Sequence, residues 1–330
     1  MNRRAIVIGG SLGGLTAALL LRDLGWSVDV MERSRRPLMG RGAGIVAHPS
    51  TVRYLVERTA SSLDAMSASS RSVRYLASSG AVVHEQDSAY RFTSFFALYH
   101  ELLAAFDAGR YHLGRRVTGF EQDGDEVRVV LADGGRERCD LLVCADGIQS
   151  TARRLLLPDL PREYAGYVAW RGIVSEEALS RETFATFREA IVYYLMPGSH
   201  ILTYPIPSVD GSVEPGRRLI NWIWYRNVPP GQALERVMTG ADGRGYDVSV
   251  PAGAANQLQV DELRLHGERM LAPQLAEMVS KTPEPFVQAV YDIAAPRLTF
   301  GRACLIGDAA SLLRPHVAVG TAKAAEAAWR

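Results

Sequence analysis

Gly9-Gly10-Ser11-Leu12-Gly13-Gly14, followed eighteen residues after Gly14 by Glu32, is a spacing suited to holding a dinucleotide. Gly9, Gly10, Ser11, Leu12 and Gly14 would form the cradle: small residues let the backbone turn tightly and approach a pyrophosphate, whose charge is favoured at a helix N-terminus. Ser11 replaces the middle glycine of G-x-G-x-x-G; it is small enough to keep the approach, and its hydroxyl can donate to phosphate. Glu32 is placed to accept hydrogen bonds from an adenosine ribose. Arg33 could lie along an adenine and Arg41 could reach phosphate or ribose, or both could be solvated side chains. Two further acid–glycine pairs close apolar runs: Asp146-Gly147, with Ser150 and Arg153 beyond it, and Gly307-Asp308, with Pro315, Gly320 and Thr321 beyond it. Groups able to hold or move a proton are His48, His316 and Tyr204. Arg171 could anchor an anionic ligand or simply pair with a carboxylate.

The first motif needs a strand before it and a helix after it, and the pattern supplies both. Ala5 to Ile8 reads as a buried parallel strand, Leu15 to Leu24 as an amphipathic helix stopped by Gly25, and Val28 to Met31 as a second strand. Arg3 and Arg4 ahead of an apolar run also suit a signal peptide, but five small residues interrupt the run and no cleavage site follows before Arg22 and Asp23. Gly40, Gly42 and Gly44 imply irregular backbone at the carboxyl end of the first strands, where open α/β sheets bind ligands.

Further along, Pro49 to Glu57 reads as a helix, and Ser79-Gly80 joins Val73–Ala77 to Ala81–His84 in a hairpin. Ser94 caps a helix carrying Leu98, Leu102, Leu103 and Phe106. Turns at Asp123-Gly124 and Asp133-Gly134 make the next segment a β-meander. Asp140 to Ala145 is again a parallel-type strand. From Gly166 to Asn227 the strands become long and aromatic, which predicts an inserted mixed or antiparallel sheet. Its Tyr193, Tyr204 and Trp222 could wall a ligand site or simply fill a core. Residues 228–253 read as loops, and 255–291 as helices broken at Pro273 and Pro283.

The expected fold is therefore α/β: a Rossmann-like dinucleotide-binding domain of the glutathione-reductase type with a β-meander and an inserted mixed β-sheet substrate domain. Residues 1–72, 95–163 and 285–330 are assigned to the first domain, 73–94 and 164–284 to the second. The chain has 330 residues, 47% hydrophobic and 22% charged, enough for a core of this size. A net charge of +1 with no basic block argues against nucleic acid as a partner. No apolar stretch approaches a membrane span. Cys139, Cys144 and Cys304 lack metal-ligand spacing and read as buried free thiols in a reducing cytoplasm; no metal site is expected.

Taken together, the glycine turn with Glu32, the stretch DLLVCADGIQSTARR and the stretch GRACLIGDAASLLRP resemble the class A flavoprotein monooxygenases, the para-hydroxybenzoate hydroxylase-like aromatic hydroxylases. The likeness runs over nearly the whole chain. YVAWRG, the Pro-Gly-Ser-His turn, NWIWYRN and RPHVAVGTAKAAEAAW resemble the 2,6-dihydroxypyridine 3-monooxygenase branch, which acts on N-heterocyclic diols. The resemblance implies non-covalent FAD as cofactor, with Asp146 and Arg153 near flavin and nicotinamide, Asp308 at the ribityl chain, and the helix from Gly320 pointing its positive end at the flavin. It implies that NADH or NADPH, bound transiently, reduces the FAD, that O2 adds at its C4a position, and that hydroxyl passes to an electron-rich aromatic or N-heterocyclic substrate. His316, His48, Tyr204 and Arg171 are the candidates for contacting that ring. A homodimer stays open, as do a same-fold epoxidase or reductase and a non-catalytic flavin-binding protein.

Two positions depart from the family pattern. Ser311 stands where His commonly follows the Gly-Asp pair, and Lys323 stands where many relatives carry Asn. The lysine could reach the flavin O2 or point to solvent. Relatives also continue beyond the helix in which this chain stops at Arg330, so a shortened chain is expected.

Overall fold

The computed structural model describes residues 3–38, 44–315 and 320–330. Among these residues the strands form four sheets. The first is six-stranded, in the order Thr299–Phe300, Ala303–Leu305, Leu141–Cys144, Arg4–Ile8, Ser27–Glu32, Tyr111–Leu113. All its neighbours are parallel except the hairpin formed by the first two. Ala5, Ile6 and Val7 are completely buried, as the unbroken apolar run requires of a strand covered on both faces. The helix Leu12–Asp23 follows at once. It ends where Trp26 N–H donates to Leu21 O and Gly25 N–H to Arg22 O, with Gly25 at φ +84°, the left-handed closure that glycine adopts without strain.

This topology carries the main functional consequence. Leu141–Cys144 lies between Arg4–Ile8 and Ala303–Leu305, all running the same way. The glycine turn, Asp146 and Asp308 thus emerge side by side from the carboxyl ends of three adjacent strands, the edge at which open α/β sheets bind ligands.

The meander Val117–Gln122, Val127–Leu131, Arg136–Cys139 forms an antiparallel three-stranded sheet with its turns as expected. Val127, Val129 and Leu131 bury against Ile6, Ile8 and Leu142 of the first sheet. A small sheet pairs Gly44–Val46 with Arg91–Ser94, and Ser94 caps the helix Phe95–Ala105 by accepting from Ala97 N–H at 3.1 Å.

The remaining sheet has nine strands and is mixed. It takes in the aromatic strands Glu163–Ser175, Ala190–Met196, Ser199–Ile206 and Leu219–Asn227, together with the hairpin Ser72–Leu76 and Val82–Asp87. Its pairings are antiparallel except that of Ala190–Met196 with Ser72–Leu76. Phe286–Ala294 also belongs to this sheet, between Ser249–Val250 and Glu163–Ser175, although the sequence had placed it at the end of a helical run and with the first domain. Pro283 and Pro285 stop the helix Pro273–Ser280 from continuing, and the β-branched and aromatic FVQAVYDIA then pairs as a strand. Residues 228–253, expected as loops, hold the short helix Gln232–Val237 and the strand Ser249–Val250.

Helices Gln257–Met270 and Pro273–Ser280 cover one face of the large sheet, burying Trp170, Trp222 and Trp224. Trp222 is fully buried, and its Nε1 donates to Thr282 Oγ1 at 2.8 Å. A Cβ at Gly172 would lie 2.7 Å from its ring, which is why the neighbour of Arg171 carries no side chain. Trp222 is therefore core, and not the ligand wall that its strand had suggested. At the far end of the sheet Arg218 and Glu176, 1% and 0% exposed in their side chains, make a two-pronged ion pair with a closest approach of 2.9 Å. Removing either partner would strand the other charge, a loss of about 3–5 kcal/mol.

Candidate active site

The glycine turn is closed from three sides. A Cβ at Gly14 would lie 1.9 Å from Gly9 O, one at Gly9 2.4 Å from Ala145 O, and one at Gly10 2.2 Å from the Tyr111 hydroxyl. Gly9 also sits at φ +95°. Glu32, 5% exposed, accepts Gly10 N–H at 2.9 Å through Oε2 and Ser34 N–H at 2.8 Å through Oε1. It thus holds the turn as well as facing the cavity in which a ribose would lie. Ser11 occupies the N-cap of the helix without making a side-chain cap bond, so its hydroxyl is free for a phosphate.

Behind the turn stands a support that sequence reading missed. Tyr111 donates to Gly10 O at 2.8 Å, its hydroxyl lies 3.1 Å from that of Tyr99, and Tyr99 accepts Leu38 N–H at 3.2 Å. Tyr111 comes from the strand beyond Ser27–Glu32, a hundred residues away in sequence, and no local pattern marks it.

Asp146 Oδ2 accepts Thr151 N–H at 2.7 Å and Ala152 N–H at 3.2 Å, capping the helix Thr151–Leu156. Its Oδ1 is buried without a partner, a cost that a donor on a bound ligand would relieve. Arg153 is buried and donates to Asp308 O at 3.2 Å, Ala309 O at 3.0 Å and Ile148 O. Its guanidinium therefore locks the Asp146 segment to the Gly307–Ala309 turn, and the side chain lines the cavity beside Asp146. Burial raises the Asp308 carboxyl above its ordinary value, with Lys323 and Arg153 opposing. Lys323, for which flavin and solvent had both been open, donates instead to Ser311 O and, at 2.9 Å, to Ser311 Oγ.

Two cavities meet at Ser11, Ala145, Gly147, Ile148 and Asp308. One, of about 740 Å³, is lined by Gly9, Glu32, Arg33, Asp146 and Arg153. The other, of about 490 Å³, runs from Leu12, Gly14, Gly307, Gly320 and Thr321 to the large sheet. There its wall is Ala169, Arg171, Tyr204, Ile223, Tyr225 and Gln288, the sheet face opposite the tryptophans. Gly320 and Thr321 open the ten-residue helix Gly320–Trp329, so its N-terminal end faces this cavity. The helix packs closely because Gly13 and Gly307 would each put a Cβ 3.2 Å from Ala324 Cβ.

Of the candidates for ring chemistry, Arg171 and Tyr204 reach the cavity. Tyr204 stacks on Phe92, with ring centroids 4.1 Å apart, and burial pushes its phenol up to about 12 with Arg171 opposing. It is a hydrogen-bond donor at neutral pH and no base. Tyr193 stacks on Tyr75 and packs in the same apolar cluster as Tyr204 and Phe92, but it lines neither cavity. His48 caps the helix Pro49–Arg58, lines neither cavity, and keeps a buried, unpartnered Nε2. Arg41, Gly40, Gly42 and His316 lie outside the described residues. Asn221, also unforeseen, accepts Gly44 N–H at 2.8 Å and ties the end of the glycine-rich stretch to the sheet. Strand alternation put Asn221, Ile223 and Tyr225 on one face, without saying which face met the ligand.

A cleft built on side-chain-free turns, with an orphaned carboxylate oxygen at its centre, fits FAD. The family described as FAD binding domain-like matches residues 164–292. The 2,6-dihydroxypyridine 3-monooxygenase of Paenarthrobacter nicotinovorans is 38% identical over 324 residues, covering 98% of this chain and 80% of that protein. The solved structure of 2,6-dihydroxypyridine-3-hydroxylase from Arthrobacter nicotinovorans superposes with a TM-score of 0.94 at 37% identity, covering 100% of this chain and 82% of that one. A single-residue variant of Klebsiella pneumoniae HpxO, solved with FAD, superposes at 0.79 and 25% identity over 99% of this chain and 79% of its own. The chain belongs to the class A flavoprotein monooxygenases, the FAD-dependent aromatic hydroxylases. It is an FAD-dependent enzyme of that family. No helix among the described residues is long and apolar enough to cross a membrane.

Proposed function

We propose that this enzyme hydroxylates a hydroxypyridine-like N-heterocycle, using NADH or NADPH and O2, with the ring held between the Gly307–Asp308 turn and the aromatic sheet. The observation that carries the reading is the 490 Å³ cavity, with Asp308 and the N-terminus of Gly320–Trp329 at one end and Arg171, Tyr204 and Gln288 at the other. The 2,6-dihydroxypyridine 3-monooxygenase similarity favours an N-heterocyclic ring over a simple phenol.

Bound FAD supplies the reductive activation of dioxygen and the transfer of one oxygen atom to the ring. Glu32 would hold the adenosine ribose and the amides and hydroxyl of the Gly9–Gly14 turn the pyrophosphate, while Asp146 and Asp308 would receive donors of the ribityl chain. The N-terminus of Gly320–Trp329 favours negative charge on the reduced ring system. Tyr204 donates to a ring oxygen, and Ala169, Ile223 and Val290 keep water from the reacting edge. The thiols of Cys139 and Cys304 are pushed up to about 11 by burial, that of Cys144 is raised well above its ordinary value, and all three are free. That inert, unpaired state suits a cytoplasmic enzyme.

The test is a screen of hydroxypyridines and phenols for substrate-stimulated NAD(P)H oxidation by FAD-loaded protein under labelled dioxygen. One labelled oxygen in a hydroxypyridine product is expected. Stimulated oxidation that yields only hydrogen peroxide with every ring would sink the hydroxylase reading.

A further inference from the structure

Arg171 and Gln288 lie on neighbouring strands of the large sheet, which pair Arg171 with Phe286 and Ala169 with Gln288. Arg171 Nη1 donates to Gln288 Oε1 at 3.0 Å. A guanidinium can only donate, so the amide carbonyl of Gln288 is taken and its NH2 is what remains to offer. Arg171 Nε is buried without a partner, and among the described residues no carboxylate pairs with this guanidinium. Both side chains line the cavity, next to Tyr204 and Tyr225.

A partly buried cation with no counter-charge is costly, and the cavity's ligand is the group placed to neutralise it. The wall is also one-sided chemically. Arg171 and the Gln288 amide NH2 can only donate, and the Tyr204 phenol can donate as well as accept, so a ligand edge that offers only donors would leave the first two unsatisfied.

We propose that Arg171 and Gln288 together select a planar ring edge carrying an anionic oxygen beside a second acceptor, the N–C–O⁻ edge of a deprotonated hydroxypyridine. This rests on the hydroxylase reading above and deepens it. Gln288 is then the specificity-determining residue, because it meets the ring nitrogen that a phenol lacks, and Arg171 meets the oxyanion. A ring carboxylate also presents two adjacent acceptors, and the experiment separates the two sources.

FAD-loaded protein is titrated with 2,6-dihydroxypyridine, with resorcinol (the same ring with C–H in place of N) and with salicylate, and binding is read from the perturbed flavin absorbance. The wild type is expected to bind the dihydroxypyridine roughly tenfold or more tightly than resorcinol, the scale of one unsatisfied buried polar group. Gln288→Leu should bring that ratio to within about twofold while flavin content is kept. Gln288→Glu retains a partner for Arg171 but presents no donor, and it should lose dihydroxypyridine binding without loss of thermal stability. Arg171→Gln should weaken the dihydroxypyridine by roughly tenfold or more. A preference that survives in Gln288→Leu, or salicylate binding more tightly than the dihydroxypyridine, overturns the proposal. Tight, Gln288-dependent binding without oxygen insertion would leave it standing and remove the hydroxylase reading; hydroxylation with unaltered selectivity would do the reverse.

Discussion

Lys323 on the closing helix donates to Ser311 Oγ at 2.9 Å and to Ser311 O. These are the two positions that the family resemblance singles out beside the Gly-Asp pair and in the closing helix, and they are partners. Ser311 begins two residues after the Gly307–Ala309 turn, and Lys323 lies one turn into the helix whose N-terminus faces the cavity. The pair therefore ties the segment that carries Asp308 to the helix whose positive end faces the cavity. Burial lowers the Lys323 ammonium's pKa, and nearby Asp308 opposes it.

Lys323→Met and Ser311→Ala are each expected to weaken FAD retention several-fold. Because Lys323→Met already removes the Oγ contact that Ser311→Ala breaks, the double variant should lose little more than Lys323→Met alone, a coupling of about 1–2 kcal/mol. Flavin dissociation constants of the four proteins check this. Additive losses would mean that the two residues act separately.

Glu32 holds two backbone N–H groups of the turn region in addition to facing the cavity. Glu32→Ala should lose most of its bound FAD and about 1–3 kcal/mol of stability, since Gly10 N–H is left buried without an acceptor. Glu32→Gln keeps one acceptor and should fall between. Flavin content on purification and urea midpoints measure the two effects; full flavin content in Glu32→Ala would remove Glu32 from the cofactor site.

Stability should also respond to acid through Glu277, far from the cavity. Burial pushes its carboxyl up, but Lys281, Thr183 and Ser180 overcome this and hold it at about 2 against an ordinary 4.5. Ser180 donates to it through both N–H and hydroxyl, at 2.7 Å each. A depressed carboxyl stabilises the fold above its unfolded pKa, and that contribution fades as pH falls from 4.5 toward 2. The side chain is 21% exposed, so the contribution is of the order of 2–3 kcal/mol. Glu277→Gln should therefore be less stable than wild type at pH ~7, with the gap closing below pH ~4. Urea midpoints measured across that range decide it; a gap independent of pH would place the stabilisation elsewhere.

Local chemistry was legible in the amino-acid sequence. Strand, glycine turn, helix and Glu32 are consecutive, so their order and spacing display the dinucleotide cradle directly, and Asp146 and Asp308 are marked by the glycines beside them. The meander and the Ser94 cap are likewise written in adjacent residues. The outcomes that required tertiary structure join residues far apart. Strand alternation separates Trp222 from Ile223 and Tyr225, yet both faces of that sheet are apolar, and only the packing of Gln257–Met270 and Pro273–Ser280 decides which one meets the cavity. Tyr111 behind Gly10, Asn221 on Gly44 and Ser311 under Lys323 are contacts between elements. Whether Arg171 would find a carboxylate or remain unpaired depended on Phe286–Ala294 joining the sheet as a strand, which set Gln288 beside it across 117 residues of chain. Hydrogen-bond partners at such separations leave no periodicity in the sequence, because they are chosen by the packing of the sheet and not by neighbouring residues.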